Sequence, residues 1–309
     1  MAIARLRAKA RRKRRDWKRL GWGKVVGLPA HDLRWRLSSA ERRARWADER
    51  LAVDGDDYWL FLLGLNNSGT SILLRVLGSH PRMRSLPNEG QLLTRALPQA
   101  PRYGVGRNWT KRPDVFRWTE ESDPAPALRA RFDWAYFFEP GPGILLEKSP
   151  PDTIRGRWLQ ENFRPCRFVA LTRHPYPVCE GIRRRTGLSL EEAAHHWARA
   201  NEILLEDVEH LERCLMLTYE RLTDHPEEEL ERVRAFLDLE EPFDREVVAG
   251  PIPMHNITGK AQPIQNLNAR SLERLSGEDL AAIDRIAGPL MDRLGYERLE
   301  PAARIGAEP

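Results

Sequence analysis

The stretch Gly64-Leu-Asn-Asn-Ser-Gly-Thr-Ser71 gathers the groups best suited to hold an anion. It follows an uncharged apolar run, Tyr58 to Leu65, and precedes another, Ile72-Leu73-Leu74 with Val76-Leu77. The first run suits a buried parallel strand and is too short to cross a membrane. A strand, a Gly-rich turn and a helix start leave backbone N–H groups free for a phosphate, and the helix dipole favours negative charge there. Asn66, Asn67, Ser68, Gly69, Thr70 and Ser71 supply the turn. Three more polar pairs follow apolar runs: Lys148-Ser149 after Gly143–Glu147, Arg173-His174 after Arg167–Thr172, and Tyr219-Glu220 at the end of Leu215–Tyr219. Phosphate binding is the chemistry such a set supports.

Gly64-x4-Gly69 matches the first part of a Walker A motif, but Thr70 stands where its Lys should follow. Without that Lys, binding of a triphosphate's β/γ-phosphates is hard to defend, and a nucleotide with another phosphate layout is indicated. A P-loop kinase or NTPase stays open as an alternative, with Glu147 as the nearest candidate for its metal-binding acid. So does a Gly-containing turn with no ligand.

The elements that must position these groups alternate. Beside the four strands, the patterning places an exposed, charge-laced helix over residues 31–54 and others over 72–79, 155–163, 189–213, from Asp224 to Leu237, and 277–294. Ser276 with Asp279 forms a capping box for the last, and Pro289 is expected to kink it. Strands alternating with helices imply an α/β fold, a three-layer doubly wound parallel sheet of the P-loop NTPase-like kind. Ligands then sit beyond the carboxyl ends of the strands, where all four polar segments lie. Residues 1–50 read as a basic arm and helix, and residues 51–309 as one domain. The Pro-, Gly-, Arg- and Trp-rich stretch 98–143 reads as an insertion shaping an acceptor pocket, with Trp109, Trp118, Trp134 and Tyr136 available either to stack on a ring or to pack.

Composition sets bounds. A chain of 309 residues with 41% hydrophobic content supports a real core. Three cysteines without a CxxC pair indicate neither a disulfide framework nor a zinc site, and no metal is expected. The lack of a long apolar segment or an apolar leader makes a cytoplasmic, bacterial setting the expectation. Residues 1–24 hold eleven Lys/Arg and one acid, Asp16, so their net charge of +10 exceeds the +5 of the whole chain. Such an arm suits anionic lipid or nucleic acid, or is a solvated tail. Only seven of the 50 basic residues are Lys, and past Lys24 only Lys111, Lys148 and Lys260 remain. A retained Lys is a compact point charge that Arg does not replace.

Over roughly residues 58–295 the chain resembles the sulfotransferases that use 3′-phosphoadenosine 5′-phosphosulfate (PAPS), releasing 3′-phosphoadenosine 5′-phosphate (PAP). GLNNSGTSILLRVLGSHP is similar to that family's 5′-phosphosulfate loop, RFVALTRHPYPVCEGI to its 3′-phosphate segment, and LTYERLTDHPEEELERVRAFLDL to its Tyr-Glu-x-Leu stretch. The resemblance implies sulfuryl transfer from PAPS to a hydroxyl or amine of a carbohydrate, small molecule or peptide. It implies Asn66–Ser71 and Arg173 for the two anionic ends of the donor, Lys148 for the leaving phosphate or transferring group, and Glu89 as base, unless Glu89 is a solvated loop acid. It also places Tyr219 near the adenine and Lys260, in His255-Asn256-Ile-Thr-Gly-Lys260, on the 3′-phosphate. His195 and His196 fall on a helix and are read as surface or supporting residues. Two positions depart from the family pattern: Asn67 where Lys or Arg often precedes Ser-Gly-Thr, and Gly181 where Ser is usual, with Arg183, Arg184 or Arg185 as compensators. These departures leave a non-catalytic nucleotide-binding relative as a further alternative.

Overall fold

The computed structural model describes residues 22–250, 252–253, 261–262 and 264–299. Lys260 and residues 1–21 of the basic arm therefore lie outside the described residues. Five parallel strands form the central sheet in the order β2-β3-β1-β4-β5: β1 Trp59–Leu63, β2 Met83–Ser85, β3 Ile144–Glu147, β4 Cys166–Thr172 and β5 Cys214–Thr218. Every residue of β1 and β3 is buried, as helices on both faces require. Alternation along β1 divides the core. Trp59, Phe61 and Leu63 pack with Trp134, Trp158 and Phe163 under helices Ala125–Phe137 and Gly156–Asn162. Leu60 and Leu62 pack with Leu73, Val76 and Val233 under helices Thr70–Leu77 and Pro226–Phe236. A third cluster joins helix Leu190–Val208 to helices Pro175–Thr186 and Gly277–Leu294 through Trp197, Ile182, Ile283 and Met291.

β1 pairs with β3 on one side and β4 on the other, with Leu63 opposite Ala170 at the β1–β4 carboxyl end. The chain fills the β2–β3 side first and then crosses to the β4–β5 side, so β1 and β4 flank the switch point where such sheets bind ligands.

Several expected elements are corrected. Residues 31–54 form no single exposed helix: Trp22–Leu37 and Ala40–Leu51 are separate, because Ser39 accepts from Arg42 N–H as an N-cap. Both lean on helix Ala125–Phe137, where His31 Nε2 lies 3.0 Å from Asp133 and Arg129 bridges Asp32 and Asp133 at 2.8 Å each. The helix expected to reach residue 213 stops at Val208, because the chain must turn there to enter β5. Tyr219 opens a helix, Tyr219–Asp224, instead of ending a strand. The Ser276–Asp279 capping box is present, and helix Gly277–Leu294 runs on through Pro289.

Candidate active site

A cleft of about 390 Å³ opens at the carboxyl ends of the strands, between the 66–71 turn, Lys148 and Arg173. Gly69 caps helix Thr70–Leu77 at φ +95°, a left-handed conformation that favours glycine. A Cβ there would also lie 2.5 Å from Cδ2 of Tyr219. The amides of Asn67, Gly69, Thr70 and Ser71 make no hydrogen bond among the described residues. Buried Asn67 Nδ2 and Ser68 Oγ likewise lack partners. Unsatisfied donors concentrated at a helix start are what an anion would satisfy.

Arg173 enters from the end of β4 and is held in place. Its Nε donates to Asn268 Oδ1 at 2.9 Å, its Nη1 to the Asn67 carbonyl at 2.7 Å, and its guanidinium lies 3.9 Å from the Tyr219 ring centroid. Glu220 Oε1 accepts from Asn268 Nδ2 at 2.7 Å and from His174 N–H at 3.1 Å, orienting the asparagine that orients Arg173. Arg173 Nη2 makes no hydrogen bond among the described residues. Burial pulls the Arg173 pKa below the usual guanidinium value, which an anionic ligand would reverse. Tyr219 lines the same cleft, while its hydroxyl accepts from Leu267 N–H and donates to the Gln265 carbonyl, both at 3.1 Å.

Opposite stands Lys148, 8% exposed, with Nζ 3.0 Å from Glu89 Oε1. Gln91 Nε2 donates to the other Glu89 oxygen at 2.9 Å, so both carboxylate oxygens are held. Glu147 supports this arrangement from beneath. It is wholly buried, and its Oε1 accepts from Gly90 N–H at 2.8 Å and Ser149 Oγ at 2.6 Å, fixing the neighbours of Glu89 and Lys148. A Cβ on Gly90 would lie 2.6 Å from that same oxygen. So placed, Glu147 does not line the cleft as the metal acid of a kinase would.

Burial, followed by the neighbouring Asp152 carboxylate, raises the Glu147 pKa well above the ordinary carboxylate value. Asp152 itself pairs with buried Arg155 at 2.6 Å. The folded protein therefore keeps a proton that the unfolded chain releases above about pH 4.5. Stability drawn from it is complete below that pH and declines as pH rises toward the folded value, by up to about 1.4 kcal/mol per unit. Glu147→Gln should hold the same bonds without a titrating proton. Its urea stability relative to wild type is expected to grow as pH rises above about 4.5; a difference that stays constant from there upward would refute the proton.

The structure brings Asn66, Asn67, Gly69, Thr70, Ser71, Glu89, Lys148, Arg173, Gly181 and Tyr219 to the one cleft. Ser68 lies buried behind the turn. Sequence reasoning missed Arg107, Arg270 and Arg274, which also line it; the i,i+4 spacing of the last two was the available signal. Arg184 and Arg185, weighed as compensators, reach the cleft, but Arg183 is turned away to Asp279 at 3.1 Å. Among the described residues, seven basic side chains line the cleft, and Glu89 is the single carboxylate with them. Buried Glu180 neutralises Arg184 at 2.8 Å and lies 3.7 Å from Arg274.

Trp109, Trp118, Trp134 and Tyr136 of the 98–143 stretch are packing groups. Trp134 is core and donates to the Gly90 carbonyl, Trp118 packs edge-on against Trp158, and Tyr136 stacks on His31. Trp109 is buried against His196, whose pKa falls to about 3 through burial. His195 is exposed on the same helix, whereas His196 is internal and bonds Thr110 at 2.7 Å. A larger cavity, about 630 Å³, lies at the amino ends of the strands around Tyr58 and Arg167, far from this chemistry.

A model of the Sulfotransferase family matches residues 60–244. Protein-tyrosine sulfotransferase A of Caenorhabditis elegans is 23% identical over 264 residues, covering 77% of this chain and 67% of that protein. Protein-tyrosine sulfotransferase of Drosophila melanogaster is 25% identical over 270 residues, and the chain spans about half (51%) of its length. Among solved structures, sulfotransferase STF9 from Mycobacterium avium superposes with a TM-score of 0.55 at 15% identity, covering 86% of this chain and 83% of that one.

Proposed function

The chain belongs to the sulfotransferase family and is a PAPS-dependent sulfotransferase; from that premise we propose which groups act and what accepts the sulfuryl group. One observation carries the reading: a single cleft joins a turn of unpaired amides and a guanidinium cluster to a lysine–carboxylate pair 3.0 Å apart. The 66–71 turn receives the 5′-phosphosulfate, and Arg173 the 3′-phosphate through its open guanidinium edge. The donor fits the groups present, since it satisfies the unpaired amides of the turn, the unpartnered Asn67 Nδ2 and the excess of cations.

Glu89 accepts the proton of the acceptor as its oxygen attacks sulfur. The bond from sulfur to the 5′-phosphate oxygen breaks, and its electron pair stays on the phosphate. Lys148 neutralises that charge. The two events reinforce each other: once Glu89 is protonated its hold on Lys148 weakens, just as the leaving phosphate gains charge. Products are the sulfated acceptor and PAP. We place a hydroxyl acceptor first, and a tyrosine of a polypeptide first among hydroxyls, because the curated relatives carry that name.

A bacterial cytoplasmic setting is proposed on the arginine-heavy composition and the three free cysteines, although the curated relatives quoted are animal proteins. The basic 1–24 arm is proposed as a contact for anionic lipid or nucleic acid.

Calorimetric titration with PAP, with ATP as control, tests the donor site. Micromolar PAP binding with ATP at least tenfold weaker is expected. Absence of PAP binding would overturn the assignment.

A further inference from the structure

Asn67 and Gly181 each remove something from the donor site, a charge and a hydroxyl, yet the structure places them against each other. A Cβ on Gly181 would lie 3.1 Å from both Cγ and Nδ2 of Asn67, tighter than side chains ordinarily allow. Asn67 itself has φ +72°, a left-handed conformation that Asn accepts more readily than Lys or Arg. Its side-chain oxygen receives a hydrogen bond from Arg107 Nη1 at 3.3 Å.

Arg107 is half-buried, lines the cleft and has no carboxylate partner within ion-pair distance among the described residues. Its charged neighbours are Arg185, which repels it, and Glu89, which attracts it. It is also firmly mounted. Trp109, two residues on, is buried and reaches Asn66 Oδ1 at 3.4 Å, while Thr110 bonds His196 at 2.7 Å. A half-buried cation held against the phosphate-binding turn, with no carboxylate in ion-pair contact among the described residues, is arranged for an anionic ligand.

We propose that Arg107, carried in by the 98–143 insertion, replaces the cation missing at position 67 and contacts the 5′-phosphosulfate end of the donor, and that Gly181 provides the space Asn67 needs to hold Arg107 there. This rests on the proposed donor. It turns the two departures from the family pattern into one rearranged site: charge arrives from a distant loop, a short amide receives it, and a missing side chain makes room.

The test uses the full chain and ligand truncation. Arg107→Gln keeps a donor for Asn67 but removes the charge. It should weaken PAP binding tenfold or more, as loss of a charged hydrogen bond does, and leave adenosine 3′-phosphate, which lacks the 5′ group, within twofold. Gly181→Ser is the sharper variant. A serine recruited to the 3′-phosphate would tighten PAP; here it displaces Asn67 and should weaken PAP selectively, with little further loss when combined with Arg107→Gln. Thermal melts confirm that both variants fold. PAP affinity of Arg107→Gln within twofold of wild type, equal losses for both ligands, or tighter PAP binding by Gly181→Ser would overturn the proposal. Failure of wild type to bind PAP would instead overturn the donor assignment itself.

Discussion

Replacing Lys148 with Ala is expected to lower kcat by two to three orders of magnitude while changing PAPS affinity by less than about tenfold. The magnitude is that of removing one preorganised donor from a developing negative charge. Lys148 is 8% exposed and held 3.0 Å from Glu89, so it reaches the reaction already desolvated and aimed. In bound PAPS the bridging oxygen has not yet taken up the electron pair of the breaking bond, so an interaction that strengthens only as that bond breaks leaves PAPS affinity nearly unmoved. Lys148→Arg should recover only part of the rate. A planar guanidinium does not fill the place of a compact ammonium beneath a carboxylate whose second oxygen is fixed by Gln91. Single-turnover assays with PAPS and a tyrosine-containing peptide measure the effect. A fall of less than tenfold would remove Lys148 from the chemistry.

For Arg173→Ala the expected loss is in binding: a rise of at least a hundredfold in the PAP dissociation constant, corresponding to about 3 kcal/mol for charged hydrogen bonds to the 3′-phosphate. Truncation removes more than a ligand contact. The Asn67 carbonyl loses its 2.7 Å donor and Asn268 its 2.9 Å partner, so the phosphate turn and the segment facing it both lose a tether. Adenosine 5′-phosphate, which lacks the 3′ group, separates the two effects. It should bind the variant within about fivefold of wild type if Arg173 reads the 3′-phosphate. Equal losses for PAP and adenosine 5′-phosphate would mean that Arg173 serves only to hold the turn. Arg173→Lys should rescue little, since one ammonium cannot hold Asn67 and Asn268 while also offering a free edge to phosphate.

Much of the architecture is legible along the chain because its signals are local. The uncharged run from Tyr58, the Gly-Asn-Ser turn and the apolar start at Ile72 specify strand, turn and helix within twenty residues, and the structure has β1, the turn and helix Thr70–Leu77 there. Ser276 and Asp279 specify a helix start by hydrogen bonds reaching only three residues. Where local signals compete, the reading failed. A charge-rich pattern over 31–54 looked continuously helical and solvent-facing, but Ser39 interrupts it, and Asp32 and His31 are drawn into contacts with Arg129 and Asp133.

The sequence by itself determined that strand ends would bring Asn66–Ser71, Lys148, Arg173 and Tyr219 to one side of a parallel sheet, because apolar runs and their polar terminators are properties of neighbouring residues. Only the tertiary structure decided which partners they meet. Lys148 finds Glu89 59 positions away, and Asn67 finds Arg107 40 positions away. It also decided that Trp109 and Trp134 are packing groups and that His196 is internal. Those outcomes depend on strand order and on where long connections land. Both are set by burial summed over the whole core, to which no short stretch of sequence has access.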